Sequence, residues 1–341
     1  MIKTVPVQEA IGMVLCHDMT RIVPGESKGP AFHKGHVILE EDVPLLLEIG
    51  KEHVYVLQLD AGQLHENDAA LRIARAAAGP GLTLSEVSEG RINFMAEPGL
   101  LRVNAEALHR VNSVPEVVLA TLHNGMVIDT HRPVAGTRVV PLVIDEARVC
   151  EVERICAETG PIVQVKPLQR FRVGVVTTGS EIFHGRIQDK FGPVLRKKFE
   201  KLGSQVVGQR LVSDDPAMTR DAILDFVREG VDMVMVTGGM SVDPDDQTPA
   251  SIRATGAEVV TYGSPTFPGV MFLLAYLDEV PIAGLPGCVM YYRASIFDLV
   301  VPSLLAGERV TREDIVALGH GGYCAGCETC RFPVCPFGKG A

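Results

Sequence analysis

The sequence predicts an α/β protein built around a mostly parallel β-sheet with helices on both faces. Between residues 171 and 290, short apolar runs alternate with segments of helical period, which is the order of repeated strand–helix units. Three of these runs, residues 173–176, 231–236 and 280–283, lead directly into glycine turns. Near-continuous aliphatic runs are typical of parallel strands that are buried on both faces. We therefore predict a three-layer αβα domain over residues 170–307.

Start and stop signals delimit the other elements of this domain. A helix over residues 189–202 is predicted to end before Gly203, a favoured residue just after a helix. Asp215 can cap a further helix that has Pro216 in its first turn and ends near Glu229. The remaining predicted elements are strands over residues 205–212 and 258–262, a short helix over 248–255 and an apolar helix over 288–305.

Three loops follow the predicted strands and form the candidate binding site. In open α/β sheets, ligands bind beyond the carboxyl ends of the strands. Glycine lets the backbone approach a ligand closely, and the N–H groups at helix N-termini attract anions. The chain has neither a Walker loop nor a G-x-G-x-x-G pattern. The candidate ligand-binding residues are Thr178, Gly179, Ser180, Thr237, Gly238, Gly239, Ser241, Gly284, Pro286 and Gly287.

Acidic residues cluster at the ends of the predicted strands. They are Glu181, Asp214, Asp215, Asp243, Asp245 and Asp246. Carboxylates beside glycine turns repel a bare phosphate, but they favour phosphate that is bridged by Mg²⁺, which accepts oxygen ligands from both. The sequence therefore favours a magnesium-dependent phosphate site. The alternative is that each acid caps a helix or lies in a solvated loop.

The three loops resemble the molybdopterin-binding domain that MoeA/gephyrin-type molybdenumtransferases, MogA-type adenylyltransferases and CinA-type proteins share. The T-G-S-E-I turn resembles the family's T-G-D-E-L, T-G-G-M-S-V-D-P-D-D resembles T-G-G-V-S-V-G-x-x-D, and G-L-P-G is unchanged. By this resemblance, Glu181, Asp214 and Asp246 occupy acidic, metal-handling positions and would be the catalytic residues. The chain departs from the family at Cys288-Val289, at Val270 and at Phe191, where MoeA-type proteins have Asn-Pro, Lys and Asn.

This resemblance implies a protein of molybdenum cofactor maturation or delivery that binds molybdopterin or the molybdenum cofactor with Mg²⁺. Two alternatives stay open. The first is an active molybdenumtransferase that inserts molybdate from adenylylated molybdopterin, and the second is a CinA-like nucleotide hydrolase. MoeA-type proteins form dimers, so the resemblance also implies a homodimer, and a recipient molybdoenzyme would be the macromolecular partner.

The preceding part of the chain is predicted to form two further units. Residues 1–60 resemble the amino-terminal region of MoeA-type proteins in the phrases K-G-H-V-I and L-L-L-E-I-G, and residues 24–30 have a loop composition. Residues 61–165 read as an α+β or barrel-like domain without the family's M-D-G-Y-A motif. Its predicted elements are a helix over residues 64–78, strands over 90–96, 100–104, 134–144 and 149–155, and a hairpin of 117–122 with 126–130 around Asn124-Gly125.

Composition excludes several classes of function. The formal net charge of −10 and the absence of Trp disfavour binding of nucleic acid by charge or by base stacking. The chain has no apolar run of about 18 residues and no signal-peptide pattern at its start, so we expect no membrane span and a cytoplasmic location.

Four of the eight cysteines lie in the last 18 residues, within a predicted tail over residues 319–341. Cys324, Cys327, Cys330 and Cys335 have a C-x2-C-x2-C-x4-C-P spacing, which is similar to the ferredoxin-type run with one extra residue. In a reducing cytoplasm such a cluster favours a metal over disulfides. The sequence predicts a metal site here, with an iron–sulfur cluster and zinc as the two alternatives.

Overall fold

The computed structural model describes residues 2–23, 27–57, 61–88, 90–244 and 246–340. The chain folds into two compact units. The first comprises Met1–Glu97, Val103–Leu122 and Thr130–Gln164, and the second comprises Pro98–Arg102, His123–Asp129 and Val165–Ala341.

Up to residue 166 the chain forms thirteen strands, four α-helices and two short 3-10 helices within the described ranges. The strands are β1 (Ile2–Pro6), β2 (Met19–Val23), β3 (Ser27–Phe32), β4 (His53–Leu57), β5 (Gln63–His65), β6 (Leu82–Leu84), β7 (Arg91–Ala96), β8 (Gly99–Val103), β9 (Val117–Thr121), β10 (Val127–Ile128), β11 (Arg132–Val139), β12 (Val143–Asp145) and β13 (Val163–Lys166). The α-helices are α1 (Val43–Glu48), α2 (Glu66–Ala77), α3 (Ala105–Asn112) and α4 (Glu146–Thr159). In the first unit, the largest sheet has the strand order β6-β7-β11-β9, and α2 packs against α4.

Four predictions for this region are wrong. The single strand predicted over residues 134–144 is two strands, β11 and β12, which belong to different sheets. Residues 149–155 lie inside α4 instead of a strand, because Val149, Val152 and Ile155 recur at helical spacing and are all buried. Residues 117–122 and 126–130 do not form a hairpin, since β9 pairs with β11 and β10 pairs with β8. Residues 27–30 belong to β3 instead of a loop, while residues 24–26 of that predicted loop lie outside the described residues.

The second unit contains the predicted α/β domain. Its further elements are β14 (Arg172–Thr178), α5 (Ser180–Phe183), α6 (Phe191–Lys201), β15 (Gln205–Val212), α7 (Pro216–Arg228), β16 (Met233–Thr237), α8 (Thr248–Arg253), β17 (Glu258–Tyr262), β18 (Leu273–Leu277), β19 (Val280–Leu285), α9 (Cys288–Tyr291), α10 (Ile296–Leu305) and α11 (Arg312–Ala317). The six-stranded sheet has the order β15-β14-β16-β19-β18-β17. Strands β15, β14, β16 and β19 are parallel, so the prediction of a mostly parallel α/β sheet is confirmed.

The two faces of this sheet bury separate hydrophobic cores. Along β14, Val175 faces the core that contains Phe199 and Phe297, whereas Val176 faces the core that contains Ile223 and Phe226. Successive side chains of a strand point to opposite faces, which explains why the whole strand is apolar. Helices α6 and α10 cover the first face, and α7 and α8 cover the second.

Two details differ from the predicted domain. Strand β17 is an antiparallel edge strand instead of a member of the parallel set, because the unpredicted strand β18 reverses the chain beside it. The apolar segment 288–305 is two helices, α9 and α10, since residues 292–295 break the helix before Ser295 starts α10 with a capping box. No helix of the described residues is long and apolar enough to span a membrane.

Candidate functional site

The three predicted loops start side by side at one edge of the sheet. In the parallel register, Thr177 on β14 lies opposite Thr237 on β16, which in turn lies opposite Leu285 on β19. Strands β14, β16 and β19 are neighbours in the sheet, so the segments that follow them leave from adjacent points. This placement follows directly from parallel pairing and explains why residues about 50 apart in sequence share one site.

Glycine permits an unusually close approach between the first two loops. Gly238 has φ of +86°, and a Cβ at this position would lie 2.7 Å from Oγ1 of Thr178 and closer still to the Thr178 carbonyl oxygen. The Thr248 hydroxyl lies beside this contact and donates a 2.8 Å hydrogen bond to the Gly238 carbonyl. Only a residue without a side chain fits here, so the T-G-G turn is fixed against the end of β14.

A network of buried hydrogen bonds links the ends of the strands that lead into these loops. The Thr177 hydroxyl oxygen accepts hydrogen bonds from Nε2 of Gln209 at 3.0 Å and from the Thr237 hydroxyl at 3.1 Å. The Gln209 amide also donates to Oδ2 of Asp189 at 2.7 Å. Thr177 and Thr237 are fully buried, so this network fixes the last residues of β14 and β16.

Sequence reasoning missed Gln209, Asp189 and Thr248 as members of the site. Asp189 accepts hydrogen bonds from the N–H groups of Phe191 and Gly192, at 2.9 and 3.0 Å, at the start of α6. Asp189 lies one residue before the N-cap residue Lys190, and an aspartate at the start of a helical pattern is a signal that could have identified it. Gln209 gives no local signal, since its partners are 20 and 32 residues away.

Asp214 is the predicted acid that joins two loops. Its Oδ2 accepts a 2.8 Å hydrogen bond from the backbone N–H of Ser180, at the start of α5. The neighbouring Glu181 folds its carboxylate back over Gly179, where a Cβ would lie 3.0 Å from Oε1. The structure therefore brings Asp214 to the turn that carries Thr178, Gly179, Ser180 and Glu181.

Asp246 lies in a separate turn of the second loop. Its backbone N–H donates to the Asp243 carbonyl at 3.0 Å, and its Oδ2 accepts from the Asp243 N–H at 3.1 Å. Ser241 and Val242 of the same loop are exposed, and Val242 is 85% exposed. Asp245 lies outside the described residues. Asp215 caps α7 by accepting from the Ala217 and Met218 N–H groups, so the capping role predicted for it is confirmed.

The third loop is a tight turn into α9. Gly284 is buried against Met240, Pro286 is buried, and Gly287 is exposed at the start of the helix. The Val289 N–H donates to the Pro286 carbonyl at 3.1 Å. Burial raises the pKa of the Cys288 thiol, so this cysteine is a neutral side chain near neutral pH.

Backbone hydrogen bonds hold both ends of the tail. The Cys324 N–H donates to the Phe267 carbonyl at 2.8 Å, and the Gly338 N–H donates to the Gly321 carbonyl at 2.9 Å. Phe337 is only 2% exposed and anchors the far end. Cys327, Cys330 and Cys335 lie on the loop between these ties.

Neither predicted metal site is assembled as a set of ligands. Within the described part of the chain, no three His, Cys, Asp or Glu side chains are close enough together to hold a metal ion. This statement covers both the tail cysteines and the trio of Glu181, Asp214 and Asp246. Their roles as metal ligands therefore stay predictions.

Comparison with known proteins supports the resemblance of the central domain. Residues 174–306 match a family model described as a probable molybdopterin binding domain, and residues 4–58 match a domain of unknown function, DUF8806. The predicted resemblance to the molybdopterin-binding domain family is thereby confirmed, while the domain bounds 170–307 stay a prediction. The family is one of molybdenum cofactor biosynthesis.

Two curated proteins are similar to part of this chain. A CinA-like protein of Mycobacterium sp. (strain MCS) is 33% identical over 90 residues, which cover 26% of this chain and 21% of that protein. A molybdopterin molybdenumtransferase of Staphylococcus aureus (strain COL) is 32% identical over 134 residues, which cover 36% of this chain and 31% of that protein. The match thus spans about a fifth to a third of the length of these relatives.

Among solved structures, the tungsten cofactor synthesizing protein MoaB from Pyrococcus furiosus is 22% identical, with a TM-score of 0.34. The match covers 41% of this chain and 98% of that one. MoaB from Thermus thermophilus is 23% identical with a TM-score of 0.33, and the match covers 40% and 98% of the two chains.

Proposed function

We propose that the second unit binds the phosphate end of a molybdopterin at the edge formed by the three loops, and that the protein acts in maturation or delivery of the molybdenum cofactor. The observation that carries this proposal is the contact of Gly238 with Thr178, which fixes two glycine turns side by side in a molybdopterin-binding domain. Such turns expose backbone N–H groups to a phosphate without an intervening side chain.

The acids give this site its dependence on magnesium. Mg²⁺ is usually held by one or two carboxylates together with phosphate oxygens and water, so it needs no cage of three protein ligands. Asp214 has one carboxylate oxygen engaged with the Ser180 N–H, which orients the other oxygen for an ion. We assign Glu181 and Asp246 as further acids around the same ion, which would cancel the repulsion between carboxylates and phosphate.

Calorimetric titration with molybdopterin and with its adenylylated form, under anaerobic conditions, tests this function. We expect binding in the presence of Mg²⁺ and at least tenfold weaker binding with EDTA. The Asp214→Asn protein should lose the magnesium effect, while Asp215→Asn, which keeps a capping side chain, should retain it. Equal affinity of the unsubstituted protein with and without Mg²⁺ would contradict a metal-bridged phosphate.

The second candidate is an active molybdenumtransferase with Glu181, Asp214 and Asp246 as catalytic residues. The Staphylococcus aureus relative bears this name, and it is 32% identical to this chain over 134 residues. AMP release from adenylylated molybdopterin in the presence of molybdate or tungstate tests this candidate. Because another relative is a CinA-like protein, hydrolysis of nucleotides is measured in parallel. Activity on a nucleotide without activity on adenylylated molybdopterin would favour the CinA-like nucleotide hydrolase.

We also propose that the tail binds a metal through Cys324, Cys327, Cys330 and Cys335. Both ends of the tail loop are fixed by backbone hydrogen bonds, so part of the entropy cost of gathering its thiols is already met by the fold. The spacing favours an iron–sulfur cluster over zinc. In this proposal the tail is the surface that a recipient molybdoenzyme contacts.

A further inference from the structure

A groove in the second unit is separate from the three loops at the sheet edge. It has a volume of about 610 Å³ and lies between the last two turns of α6, residues 290–293, the outer side of α10 and tail residues 332–339. Residues 124–129, which belong to the same unit, complete its wall. This volume falls within the range of pockets that hold small ligands.

The groove is basic although the chain carries a net charge of −10. Five of its lining residues are Lys or Arg and two are Asp. Asp298 is already engaged by Lys198, whose Nζ lies 2.7 Å from its Oδ1. Lys197 and Lys201 are exposed and form no ion pair with any residue that the structure describes. They are four positions apart on α6, so both ammonium groups lie on one side of the helix.

The tail closes the groove with fixed side chains. Phe337 is buried, and Gly338 packs so closely on Leu299 of α10 that a Cβ would overlap the leucine side chain. The Lys339 ammonium group donates to the Pro333 carbonyl within the same segment. The groove therefore has an ordered wall that holds an additional cation.

Two adjacent tyrosines add exposed aromatic surface. Tyr291 is 78% exposed and Tyr292 is 55% exposed, and both line the groove. Aromatic faces stack on heteroaromatic rings, whereas lysine and arginine side chains bind phosphate. An acidic peptide would also satisfy the cations, but a concave site of this volume favours a small molecule over a flat macromolecular contact.

We propose that this groove is a second ligand site, which binds a phosphate ester of a heteroaromatic compound. Lys197, Lys201 and Arg293 would bind the phosphate, and Tyr291 and Tyr292 would stack on the ring. A nucleotide and a phosphorylated pterin share this chemistry. The site uses helix faces and the tail, so it does not depend on Asp214 or on Mg²⁺.

Binding measurements without Mg²⁺ test the proposal with four defined probes. They are adenosine 5′-monophosphate, neopterin 3′-phosphate, ribose 5-phosphate and adenosine. We expect one of the two phosphorylated rings to bind at least tenfold more tightly than ribose 5-phosphate or adenosine, and the preferred ring identifies the source of the ligand. The double variant Lys197→Glu/Lys201→Glu should lose at least tenfold in affinity, while Lys51→Glu, an exposed charge reversal in the first unit, should not.

Two further variants distinguish a loss of groove binding from misfolding and from a loss of binding at the three loops. Tyr291→Ala should weaken binding of the ring phosphate and leave ribose 5-phosphate unchanged. Asp214→Asn should leave groove binding unchanged even if it abolishes molybdopterin binding. A polyglutamate peptide, titrated as a further probe, tests the alternative of an acidic peptide. The proposal is overturned if neither ring phosphate binds, if the lysine double variant binds normally, or if the peptide binds while the ring phosphates do not.

Discussion

The backbone N–H of Ser180 donates a 2.8 Å hydrogen bond to Oδ2 of Asp214, and this bond joins the turn after β14 to the segment after β15. The two residues are 34 positions apart in the chain. A charged acceptor makes such a bond stronger than one between neutral groups. Asp214 therefore uses one carboxylate oxygen in a structural bond, and its other oxygen has no hydrogen-bond partner among the residues that the structure describes.

Asp214→Asn should separate these two contributions. Asparagine keeps an oxygen that accepts from Ser180, so we expect the free energy of unfolding to fall by no more than about 1 kcal/mol. Removal of the charge should abolish the increase in melting temperature that Mg²⁺ and ligand together produce. Thermal melts with and without both additives measure the two effects.

Asp215 provides the matched comparison one residue away. Asp215→Ala removes the cap of α7 and should cost about 1 kcal/mol, while the stabilisation by Mg²⁺ and ligand persists. If Asp215→Ala and Asp214→Asn lost that stabilisation equally, a specific role for Asp214 would be wrong.

Gly238→Ala should destabilise the protein more than Gly256→Ala. Both glycines have φ of +86°, so alanine is strained equally at the two positions, by roughly 1–2 kcal/mol. A Cβ at Gly256 meets no atom within 4 Å, whereas one at Gly238 overlaps Thr178. This overlap should add about 1–3 kcal/mol.

Urea denaturation of both variants gives the comparison. The difference between the two free energies isolates the contact of the first and second loops, because the backbone strain cancels. Equal destabilisation would mean that the T-G-G turn can move away from β14 at little cost. A separate binding measurement links this contact to the proposed function. Molybdopterin binding should be weakened by Gly238→Ala and not by Gly256→Ala.

The elements of the central domain could be predicted because their signals are local. Strand β15 and the Asp215 cap of α7 lie where periodicity and capping residues indicate. Segment 149–155 shows the limit of such signals, since its β-branched residues favour a strand while their spacing fits a helix. Burial against α2 decides between these two signals, and it depends on tertiary structure.

The candidate site was predictable only as three loops at one edge. Parallel strands bring their carboxyl ends together, so Thr178, Thr237 and Gly284 follow from the strand order alone. The hydrogen bond from Gln209 to Thr177 and the turn that holds Asp246 depend on exact backbone positions. Neither residue type nor spacing encodes those positions.

Acid should destabilise the protein through His65. This side chain is 1% exposed, and its Nε2–H donates to the Cys16 carbonyl. Its Nδ1 therefore has no proton and accepts from the Lys34 ammonium group at 2.9 Å and from the Asn67 N–H at 3.1 Å. Burial, followed by the charge of Lys34, lowers the pKa of His65.

The direction of the pH dependence of stability follows from proton uptake by the unfolded chain. The unfolded chain protonates this histidine near pH 6.5, and the folded protein resists protonation, so stability is lost as pH falls below about 6.5. Each such site contributes at most about 1.4 kcal/mol per pH unit. His17, whose pKa is also lowered by burial, acts in the same direction.

Free energies of unfolding at pH 7.5, 6.5 and 5.5 test this expectation. His65→Gln should show a smaller loss between pH 7.5 and 5.5 than the unsubstituted protein, although it is less stable at pH 7.5. His109→Gln, at an exposed position of α3, should leave the pH dependence unchanged. An identical pH dependence in His65→Gln would show that this histidine does not resist protonation.

The tail cysteines should bind one metal centre per chain. Cys327 and Cys330 lie on a loop whose ends are held by hydrogen bonds at Cys324 and Gly338, so a metal has to order only the residues in between. Binding of a metal to the folded protein alone also raises stability. We therefore expect anaerobic preparations to contain iron and sulfide or, failing that, zinc, and to melt at a higher temperature than chelator-treated protein.

Cys327→Ser and Cys330→Ser should each lose the metal and the associated rise in melting temperature, because four thiolates are needed for either centre. Cys150→Ser, at an exposed cysteine of α4, controls for the loss of a thiol and should keep both. Stoichiometric zinc without sulfide would exclude the iron–sulfur cluster. Four free thiols without metal in the anaerobic protein would exclude both centres, and the tail would then act only through its contacts with α10.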